Sequence, residues 1–333
     1  MKQFNRCSLK PYNTFSIDAE ANKLIILEEE VELNQLSSLF KSKEPRLILG
    51  GGSNILLTKD FEGNVIAPWF KGIEILEENA NSIYIRVAAG VVWDDFVGWA
   101  CMRDYWGIEN LSLIPGHVGA SPIQNIGAYG VEVKDAIESV TFFNLERQIF
   151  QTLTNQECQF GYRNSIFKQV LKGNIIVSSV TFKLSKIESP ILHYANLKEI
   201  AGKSPSPIII RNAVIGIRKS KLPDPKITGN AGSFFKNPII NERQFHDLKI
   251  TYPDIPSYPN EEGNVKIPAG WLIEQGGWKG KTTGKVGVHP KQALVIVNYG
   301  GATGSEVISF AKDIQCSISK HFGIALEMEV NAI

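Results

Sequence analysis

The sequence predicts a mixed α/β fold, and three patterns carry this prediction. Short apolar runs typical of buried strands alternate with segments of helical spacing through the first third of the chain. Glycines concentrate in two loops, at residues 50–54 and 113–130. Prolines near residues 205 and 225 interrupt the chain, and a length of 333 residues corresponds to about two domains, or three small ones. We therefore expect several α/β domains with a boundary near residue 218.

The first third of the chain is predicted to consist of short strands and one helix. The predicted strands are 22–27, 46–49, 55–58 and 64–67. Residues 31–43 have helical spacing, because Leu33, Leu36 and Phe40 fall on one face.

The middle of the chain combines regular elements with one segment that fits no period. The predicted strands here are 82–89, 138–144 and 175–184. A helix is expected at 92–105, ended near Gly107. Residues 113–130 are too rich in glycine for a helix and too apolar for a surface linker. We expect this segment to wrap around a ligand.

The last third begins after a helix at 208–221, which Pro223 and Pro225 stop. The further predicted elements are a helix at 242–250, a strand at 293–298, a helix at 303–322 and a strand at 325–330.

Composition excludes several classes of function. Lys and Arg number 35 against 34 Asp and Glu, so the net charge of +1 provides no overall field for nucleic acid or a membrane surface. No apolar run approaches the ~18 residues that span a bilayer, and the first ten residues lack the apolar core of a signal peptide. The four cysteines form no C-x-x-C pair and the five histidines show no ligand spacing. We expect a cytoplasmic protein without a metal site.

The two glycine-rich loops are the first chemical signal. In the run GGGSN at 50–54, successive glycines let backbone N–H groups converge on an anion, and Ser53 and Asn54 add side-chain donors. Two such loops, far apart in sequence, suit an extended dinucleotide with a pyrophosphate. The alternatives are a tight turn at 50–54 and a structural Ω-loop at 113–130.

Motifs spread over nearly the whole chain resemble, in order, those of the UDP-N-acetylenolpyruvoylglucosamine reductase family, the MurB flavoenzymes of peptidoglycan precursor synthesis. The motifs lie at 13–15, 50–54, 114–130, 160–165, 221–225, 229–238, 269–273 and 326–330. The insertion with Tyr194 resembles the subclass that has a tyrosine loop over the substrate. The resemblance implies a three-domain flavoprotein, with an FAD-binding module of the vanillyl-alcohol-oxidase type and a C-terminal substrate-binding domain. The implied domains are 1–67 and 68–217 for FAD and 218–333 for the substrate.

The implied reaction reduces an enolpyruvyl ether to a lactyl ether, using non-covalent FAD and NADPH as hydride donor. The substrate is UDP-N-acetylglucosamine enolpyruvate, the product is UDP-N-acetylmuramate, and the protein is expected to be a monomer. Arg163 matches the family's carboxylate partner, since a guanidinium stays charged and can clamp a carboxylate. Ser233 matches the proton donor. Glu329 matches the family's glutamate, and it is preferred over Glu327 because it precedes Val330.

Binding residues follow from the same resemblance. For FAD they are Gly50, Gly51, Gly52, Ser53, Asn54, Pro115, Gly116, Ser121, Gln124, Asn125, Ile126, Gly130 and Ile176. For the substrate they are Tyr129, Tyr194, Arg218, Lys221, Asn237 and Gln292. The chain departs from the family at Asn331, where a basic residue is common, and it stops at Ile333. We expect this departure to affect a flavin contact.

Two other functions stay open at this point. One is a flavoprotein oxidase on the same cofactor fold, with the flavin tethered through His117. The other is a non-enzymatic homologue that only holds FAD or a UDP-sugar, which the departure at Asn331 suggests.

Overall fold

The computed structural model describes residues 1–37, 39, 44–194, 196–202, 204–260 and 263–333. These residues form two compact units, and each unit is assembled from three stretches of chain. Unit 1 comprises Met1–Cys7, Ala21–Gly51 and Glu62–Ser220. Unit 2 comprises Ser8–Glu20, Gly52–Phe61 and Lys221–Ile333.

Six α-helices lie in the described residues. They are α1 (Trp93–Cys101), α2 (Leu197–Ala201), α3 (Pro207–Lys221), α4 (Glu242–Thr251), α5 (Ala269–Gln275) and α6 (Gly304–Phe322). Short 3₁₀ helices accompany them at Lys10–Tyr12, Glu30–Leu36, Glu109–Leu111, Val118–Ala120, Val133–Asp135 and Ile166–Lys168.

Twenty strands were found in the described residues. In the first half they are β1 (Lys2–Ser8), β2 (Glu20–Leu27), β3 (Arg46–Ile48), β4 (Ile55–Leu56), β5 (Phe61–Pro68), β6 (Ile73–Glu78), β7 (Ser82–Ala88), β8 (Gly127–Ala128), β9 (Val131–Glu132) and β10 (Ile137–Asn144). In the second half they are β11 (Ile149–Thr154), β12 (Ile175–Ser185), β13 (Gly229–Ser233), β14 (Ile239–Asn241), β15 (Tyr258–Pro259), β16 (Asn264–Lys266), β17 (Thr282–Thr283), β18 (Val286–Val288), β19 (Val295–Asn298) and β20 (Asn331–Ala332).

Unit 1 is organised around two main sheets. One has the strand order β1-β2-β5-β3, in which β3 and β5 are parallel. The other is antiparallel with the order β11-β10-β12-β7-β6. Its central strand β12 is buried over its first six residues, as expected for a strand covered on both faces.

Aromatic packing holds helix α1 in unit 1. The rings of Trp93, Phe96 and Phe182 lie 4.8–6.0 Å apart between centroids, and all three side chains are fully buried. Each such side chain contributes roughly 1.5–3 kcal/mol through burial. Tertiary packing of this size outweighs the low helix propensity of Gly98 within α1.

Unit 2 contains a smaller antiparallel sheet of order β13-β19-β18-β17 with α5 and α6 as its main helices. The early stretch Ser8–Glu20 is part of this unit. Thr14 Oγ1 donates to the Asn230 carbonyl at 2.6 Å, and the Asn298 amide donates to the Phe15 carbonyl at 2.9 Å. The parallel pair β20-β4 joins residues 331–332 to residues 55–56.

Most predicted elements are confirmed, with three corrections. The expected strand at 325–330 is wrong, because this stretch makes only one β-bridge, between Met328 and Phe235, before the chain turns to pair with β4. The helix predicted to continue to residue 105 ends at Cys101, because the chain leaves the helix to form a β-bridge between Trp106 and Ser185. Of the helix predicted at 31–43, the structure shows a 3₁₀ helix at Glu30–Leu36 and α-helical residues at Ser37 and Leu39, and Phe40 lies outside the described residues.

Helices that could cross a membrane were sought in the described part of the chain, and none is both long and apolar enough.

Candidate active site

The N-terminus of helix α1 anchors the glycine-rich loop 113–130 in unit 1. The backbone N–H of Trp93 donates to the Gly116 carbonyl at 3.0 Å, and its indole N–H donates to the Leu111 carbonyl at 2.9 Å. Asp94 Oδ1 accepts the N–H of Leu113 at 2.5 Å. Leu113 has a φ of +59°, which is uncommon for a residue other than glycine. The entry to the loop is therefore held by specific bonds in a strained conformation.

The two glycine-rich loops meet at Gly51 and Gly116. A Cβ atom on Gly51 would lie 2.7 Å from the Cα of Gly116, so only glycine permits this approach. Each predicted loop therefore contributes a glycine to one place in unit 1. The run at 50–54 passes from unit 1 to unit 2 between Gly51 and Gly52.

The loop also carries buried polar atoms that have no partner among the described residues. These are the hydroxyl of Ser121 and Nδ1 of His117. A buried polar atom without a hydrogen bond costs free energy, so such atoms in a glycine-lined loop indicate a site for a polar ligand. The residues therefore fit FAD, whose pyrophosphate and ring offer hydrogen-bonding groups. Burial, followed by the nearby charge of Lys71, lowers the pKa of His117 to about 4, so its imidazole is neutral at pH 7.

Arg163 braces the far end of the loop. Its guanidinium donates to the carbonyls of Gly127 at 2.7 Å and Asn125 at 3.3 Å. Ser165 donates to the Ile123 carbonyl at 2.6 Å. Asn125 is fully buried, and its amide group donates to Glu132 and to the Gly161 carbonyl at 2.9–3.0 Å. The predicted catalytic arginine and the predicted cofactor loop thus form one network in unit 1.

Three predicted substrate residues come together in the same unit. The rings of Tyr129 and Tyr194 pack edge to face at 5.8 Å, and Arg218 on helix α3 hydrogen-bonds with Tyr129. Nε of Arg218 is buried without a partner among the described residues. Burial lowers the pKa of Arg218, although the nearby groups of Tyr129 and Asp94 oppose this effect. The cluster offers a cation and aromatic faces to an anionic, ring-containing ligand.

Asn110, which sequence reasoning missed, connects this cluster to the loop. Its side chain is fully buried, and its amide group donates to the carbonyls of Tyr129 at 2.8 Å and Ile191 at 2.9 Å. It therefore fixes the segment before Tyr194 against Tyr129. The sequence holds no signal for this role, because the bonds span up to 81 residues.

The other two predicted catalytic residues lie in unit 2. Ser233 is exposed at the end of β13, where the pairing with β19 is irregular between Asn230 and Ser233. Gly232 has a φ of +70°, so the bulge turns the serine away from the regular strand direction. The N–H of Glu329 donates to the carbonyl of Phe234, next to Ser233, at 2.9 Å. Glu327 instead forms an ion pair with Lys236.

The remaining substrate residues are also in unit 2. Asn237 accepts the N–H of Ala269 at 2.9 Å, at the start of helix α5. A Cβ on Gly270, in the same helical turn, would lie 3.5 Å from Oε1 of Gln292. Asn237 and Gln292 therefore share one end of α5, and Lys221 is exposed at the end of α3.

The predicted cofactor residues Pro115, Gln124, Ile126 and Gly130 lie in the braced loop. Ile176 is fully buried in β12, where it pairs with Phe143. Ser53 and Asn54 belong to unit 2, and Asn54 donates its amide to the Glu329 carbonyl at 3.3 Å. Within the residues that the structure describes, no group of three or more His, Cys, Asp or Glu side chains could hold a metal ion.

The paired glycine loops and the orphaned polar atoms of unit 1 are features of an FAD-binding module. Residues 22–148 match the FAD binding domain family. Residues 224–333 match the family described as UDP-N-acetylenolpyruvoylglucosamine reductase, C-terminal domain. The predicted fold class, a mixed α/β flavoprotein with an FAD-binding module of the vanillyl-alcohol-oxidase type and a C-terminal domain, is confirmed.

Comparison with curated proteins identifies the family of FAD-binding proteins to which this chain belongs. UDP-N-acetylenolpyruvoylglucosamine reductase from Flavobacterium johnsoniae is 48% identical over 331 residues, covering 98% of both chains. The enzyme of the same name from Bacteroides fragilis is 46% identical over 329 residues, and that from Pseudomonas aeruginosa is 44% identical over 330 residues. These alignments cover 98% of this chain and 98% and 97% of the relatives. This chain belongs to the UDP-N-acetylenolpyruvoylglucosamine reductase family, which confirms the resemblance noted in the sequence.

A solved structure supports the fold. The reductase from Thermus caldophilus aligns with a TM-score of 0.68 and 24% identity, covering 99% of this chain and 98% of that one.

Proposed function

We propose that this chain is an NADPH-dependent flavoenzyme that reduces the enolpyruvyl group of UDP-N-acetylglucosamine enolpyruvate to give UDP-N-acetylmuramate. The observation that carries the proposal is the backbone hydrogen bond from the N–H of Glu329 to the carbonyl of Phe234, which brings together the chain segments that carry the candidate acid Glu329 and the candidate proton donor Ser233. Membership of the reductase family favours this function over the oxidase and the non-enzymatic homologue.

The two glycine-rich loops are proposed to hold FAD. Gly51 and Gly116 allow close approach of the backbone, while Ser121 and His117 each offer a buried polar atom that has no partner within the described part of the chain. Bound FAD supplies the redox chemistry, passing a hydride from NADPH to the substrate. The protein's own part is to position the cofactor, stabilise charge and deliver a proton.

Arg163 is proposed to stabilise the substrate carboxylate and the negative charge that develops during reduction. A planar guanidinium can bind a carboxylate through two parallel bonds. The carbonyls of Gly127 and Asn125 orient this group, so it is organised before substrate arrives. Preorganised charge of this kind costs little rearrangement in the transition state.

Ser233 is proposed to give a proton to the carbanion-like carbon. A serine hydroxyl is a weak acid, so it acts only when it is held close to the reacting carbon. The irregular pairing around Gly232 sets the backbone conformation from which this exposed side chain projects. Glu329 is proposed to assist from the neighbouring segment by donating toward the enolate.

The residues proposed to bind the UDP portion of the substrate are those that the family resemblance implies. In unit 1 these are Tyr129, Tyr194 and Arg218, with Arg218 supplying charge for the diphosphate. In unit 2 they are Lys221, Asn237 and Gln292. Tyr194 is proposed to act as the covering residue of a tyrosine loop.

The proposed functional division along the sequence has FAD-binding domains at 1–67 and 68–217 and a substrate domain at 218–333, although residues 8–20 and 52–61 pack in the compact unit that contains 221–333. The enzyme is proposed to act as a monomer in the cytoplasm, where NADPH and nucleotide-activated sugars are available for peptidoglycan precursor synthesis.

The test is an anaerobic measurement of flavin absorbance in the purified holoenzyme. Addition of NADPH should bleach the oxidised spectrum, and addition of UDP-N-acetylglucosamine enolpyruvate should restore it. Bleaching without recovery would reject the proposed substrate. Release of the flavin on acid precipitation is expected, whereas retention would support the oxidase with a tether at His117.

A further inference from the structure

We infer that Asn331 is a positioning residue that aligns the cofactor loop with the two proton-donating residues. This inference rests on the proposed function. The structure gives Asn331 a specific set of contacts in unit 2.

Asn331 binds one atom twice. Its backbone N–H and its side-chain amide both donate to the carbonyl oxygen of Asn54, each at 3.1 Å. A carbonyl oxygen has two lone pairs, so these bonds use both of its acceptor positions. The peptide that follows Asn54, the last residue of the GGGSN run, is therefore fixed in orientation.

The contact continues toward the proposed catalytic residues. The Asn54 side chain donates to the Glu329 carbonyl at 3.3 Å, and the Glu329 N–H donates to the Phe234 carbonyl at 2.9 Å. Phe234 directly follows Ser233. Three linked hydrogen-bonded steps thus run from Asn331 through the cofactor loop to Glu329 and Ser233.

The side chain of Asn331 is not needed for strand pairing. The backbone N–H of Asn331 already bonds to Asn54, and β20 pairs with β4 through backbone groups at Ile55 and Leu56. The side-chain amide of Asn331 therefore orients the Asn54 carbonyl and is not required for the pairing of β20 with β4. Removing it should change the alignment of Asn54 more than the stability of unit 2.

Two substitutions whose side chains are close in shape to asparagine test the positioning role of Asn331. Asn331→Leu removes the donor without adding charge, and Asn331→Asp replaces the donor with an acceptor. Glu327→Gln is the matched control, because it changes a neighbouring, exposed side chain that pairs with Lys236. For each protein, we would measure FAD affinity by titration of the apoprotein, thermal unfolding of the apoprotein, and both half-reactions at saturating FAD.

Loss of one hydrogen bond predicts that both Asn331 variants bind FAD about three- to tenfold more weakly. Flavin reoxidation by UDP-N-acetylglucosamine enolpyruvate should slow by a similar factor, while reduction by NADPH and the apoprotein Tm stay close to wild type. Glu327→Gln should match wild type throughout. The inference is wrong if both Asn331 variants keep the wild-type FAD affinity and the wild-type rate of flavin reoxidation. It is also wrong if both half-reactions slow equally and the apoprotein Tm falls, because this combination indicates a structural role for Asn331.

Failure of the proposed function can be distinguished from failure of the inference about Asn331. If wild-type flavin is never reoxidised by the substrate, the reductase assignment fails. FAD affinity of the two Asn331 variants then decides the inference alone: weaker binding with unchanged Tm supports it, and unchanged binding overturns it.

Discussion

At the scale of single residues, the backbone around Ser233 determines what its side chain can do. The irregular pairing and the positive φ of Gly232 expose the hydroxyl at the end of β13. A hydroxyl in a regular strand position of this sheet would follow the alternation of its neighbours. The bulge places the hydroxyl at an accessible position outside the regular alternation, which suits the proposed role of Ser233 as proton donor.

Ser233→Ala should separate the two half-reactions. Flavin reduction by NADPH needs no proton from Ser233, so its rate should stay within about twofold of wild type. Reoxidation by substrate should fall by roughly 10²–10⁴-fold, the usual contribution of a positioned acid. Stopped-flow absorbance at the flavin band measures both rates. Ser305→Ala, another serine in unit 2, serves as control, and equal slowing of both half-reactions would exclude Ser233 as the donor.

His117 makes the apoprotein sensitive to mild acid. Its pKa is lowered to about 4 by burial and then by the charge of Lys71, whereas in the unfolded chain it is about 6.5. The unfolded chain therefore binds a proton first, so the free energy of unfolding should fall as pH drops from 6.5 toward 4. His117→Gln should remove about 1–2 kcal/mol of this loss at pH 5. Urea unfolding at pH 7 and pH 5 measures it, and an unchanged pH dependence would contradict this explanation.

At the scale of elements, the ion pair between Asp94 and Arg211 joins helices α1 and α3. The two groups make parallel bonds of 2.5 and 2.9 Å, and Asp94 also accepts the N–H of Leu113. Burial alone would raise the pKa of Asp94, but the bonds from Arg211 and Leu113 outweigh burial and lower it. The Asp94 carboxylate thus stabilises both the start of the glycine-rich loop 113–130 and helix α3, which carries Arg218.

Asp94→Asn should lower the free energy of unfolding at pH 7 by roughly 1.5–3 kcal/mol, since it weakens bonds to a charged group. Because the folded pKa of Asp94 is depressed, its contribution is present above the unfolded pKa of about 3.9 and is lost as pH falls through the folded value. The variant should therefore show a smaller loss of stability below pH 4. Asp95→Asn, an exposed change in the same turn, is the control for charge. Chemical unfolding at pH 7 and pH 3 measures the effect, and equal stability of the two variants would contradict it.

Elements with strong local patterns could be predicted from the sequence. Helix α6 begins with a capping box between Thr303 and Glu306 and follows the expected range of 303–322 closely. By contrast, β1 and β6 were missed, because their residues are mostly exposed and show no apolar alternation. Their pairing is decided by distant strands, which a local pattern does not encode.

The residues of the candidate site likewise fall into those that the sequence could predict and those that it could not. Gly51 and Gly116 could be found because a close backbone approach requires glycine, which is visible in the sequence. Asn110 and Asp94 could not, because each works through bonds to segments far along the chain. The roles of Arg163, Ser233 and Glu329 came from family motifs, and their residue types alone do not distinguish them from surface residues.

At the scale of the whole molecule, the chain passes between the two units five times, after residues 7, 20, 51, 61 and 220. Unit 2 therefore depends on two early stretches. Thr14 and Phe15 bond to residues of β13 and β19, and the ring of Phe15 packs on Phe234 at 6.1 Å. A fragment of residues 221–333 lacks these partners.

This fragment should not fold alone. Expressed without residues 8–20 and 52–61, it leaves Asn298 and β20 without their partners, so its backbone amide spectrum should show narrow dispersion. The control is a fragment that joins residues 8–20 and 52–61 to 221–333 through flexible linkers, which should gain dispersion. A well-dispersed NMR spectrum from residues 221–333 alone would contradict the dependence on the early stretches.

The pairing of β20 with β4 also sets an order of events during protein synthesis. Asn54 is translated early, but the residue that fixes its carbonyl follows 277 positions later. A nascent chain on the ribosome holds an unfinished cofactor loop until residues 331 and 332 have emerged. Capture of the flavin with full affinity should therefore follow the emergence of residues 331 and 332.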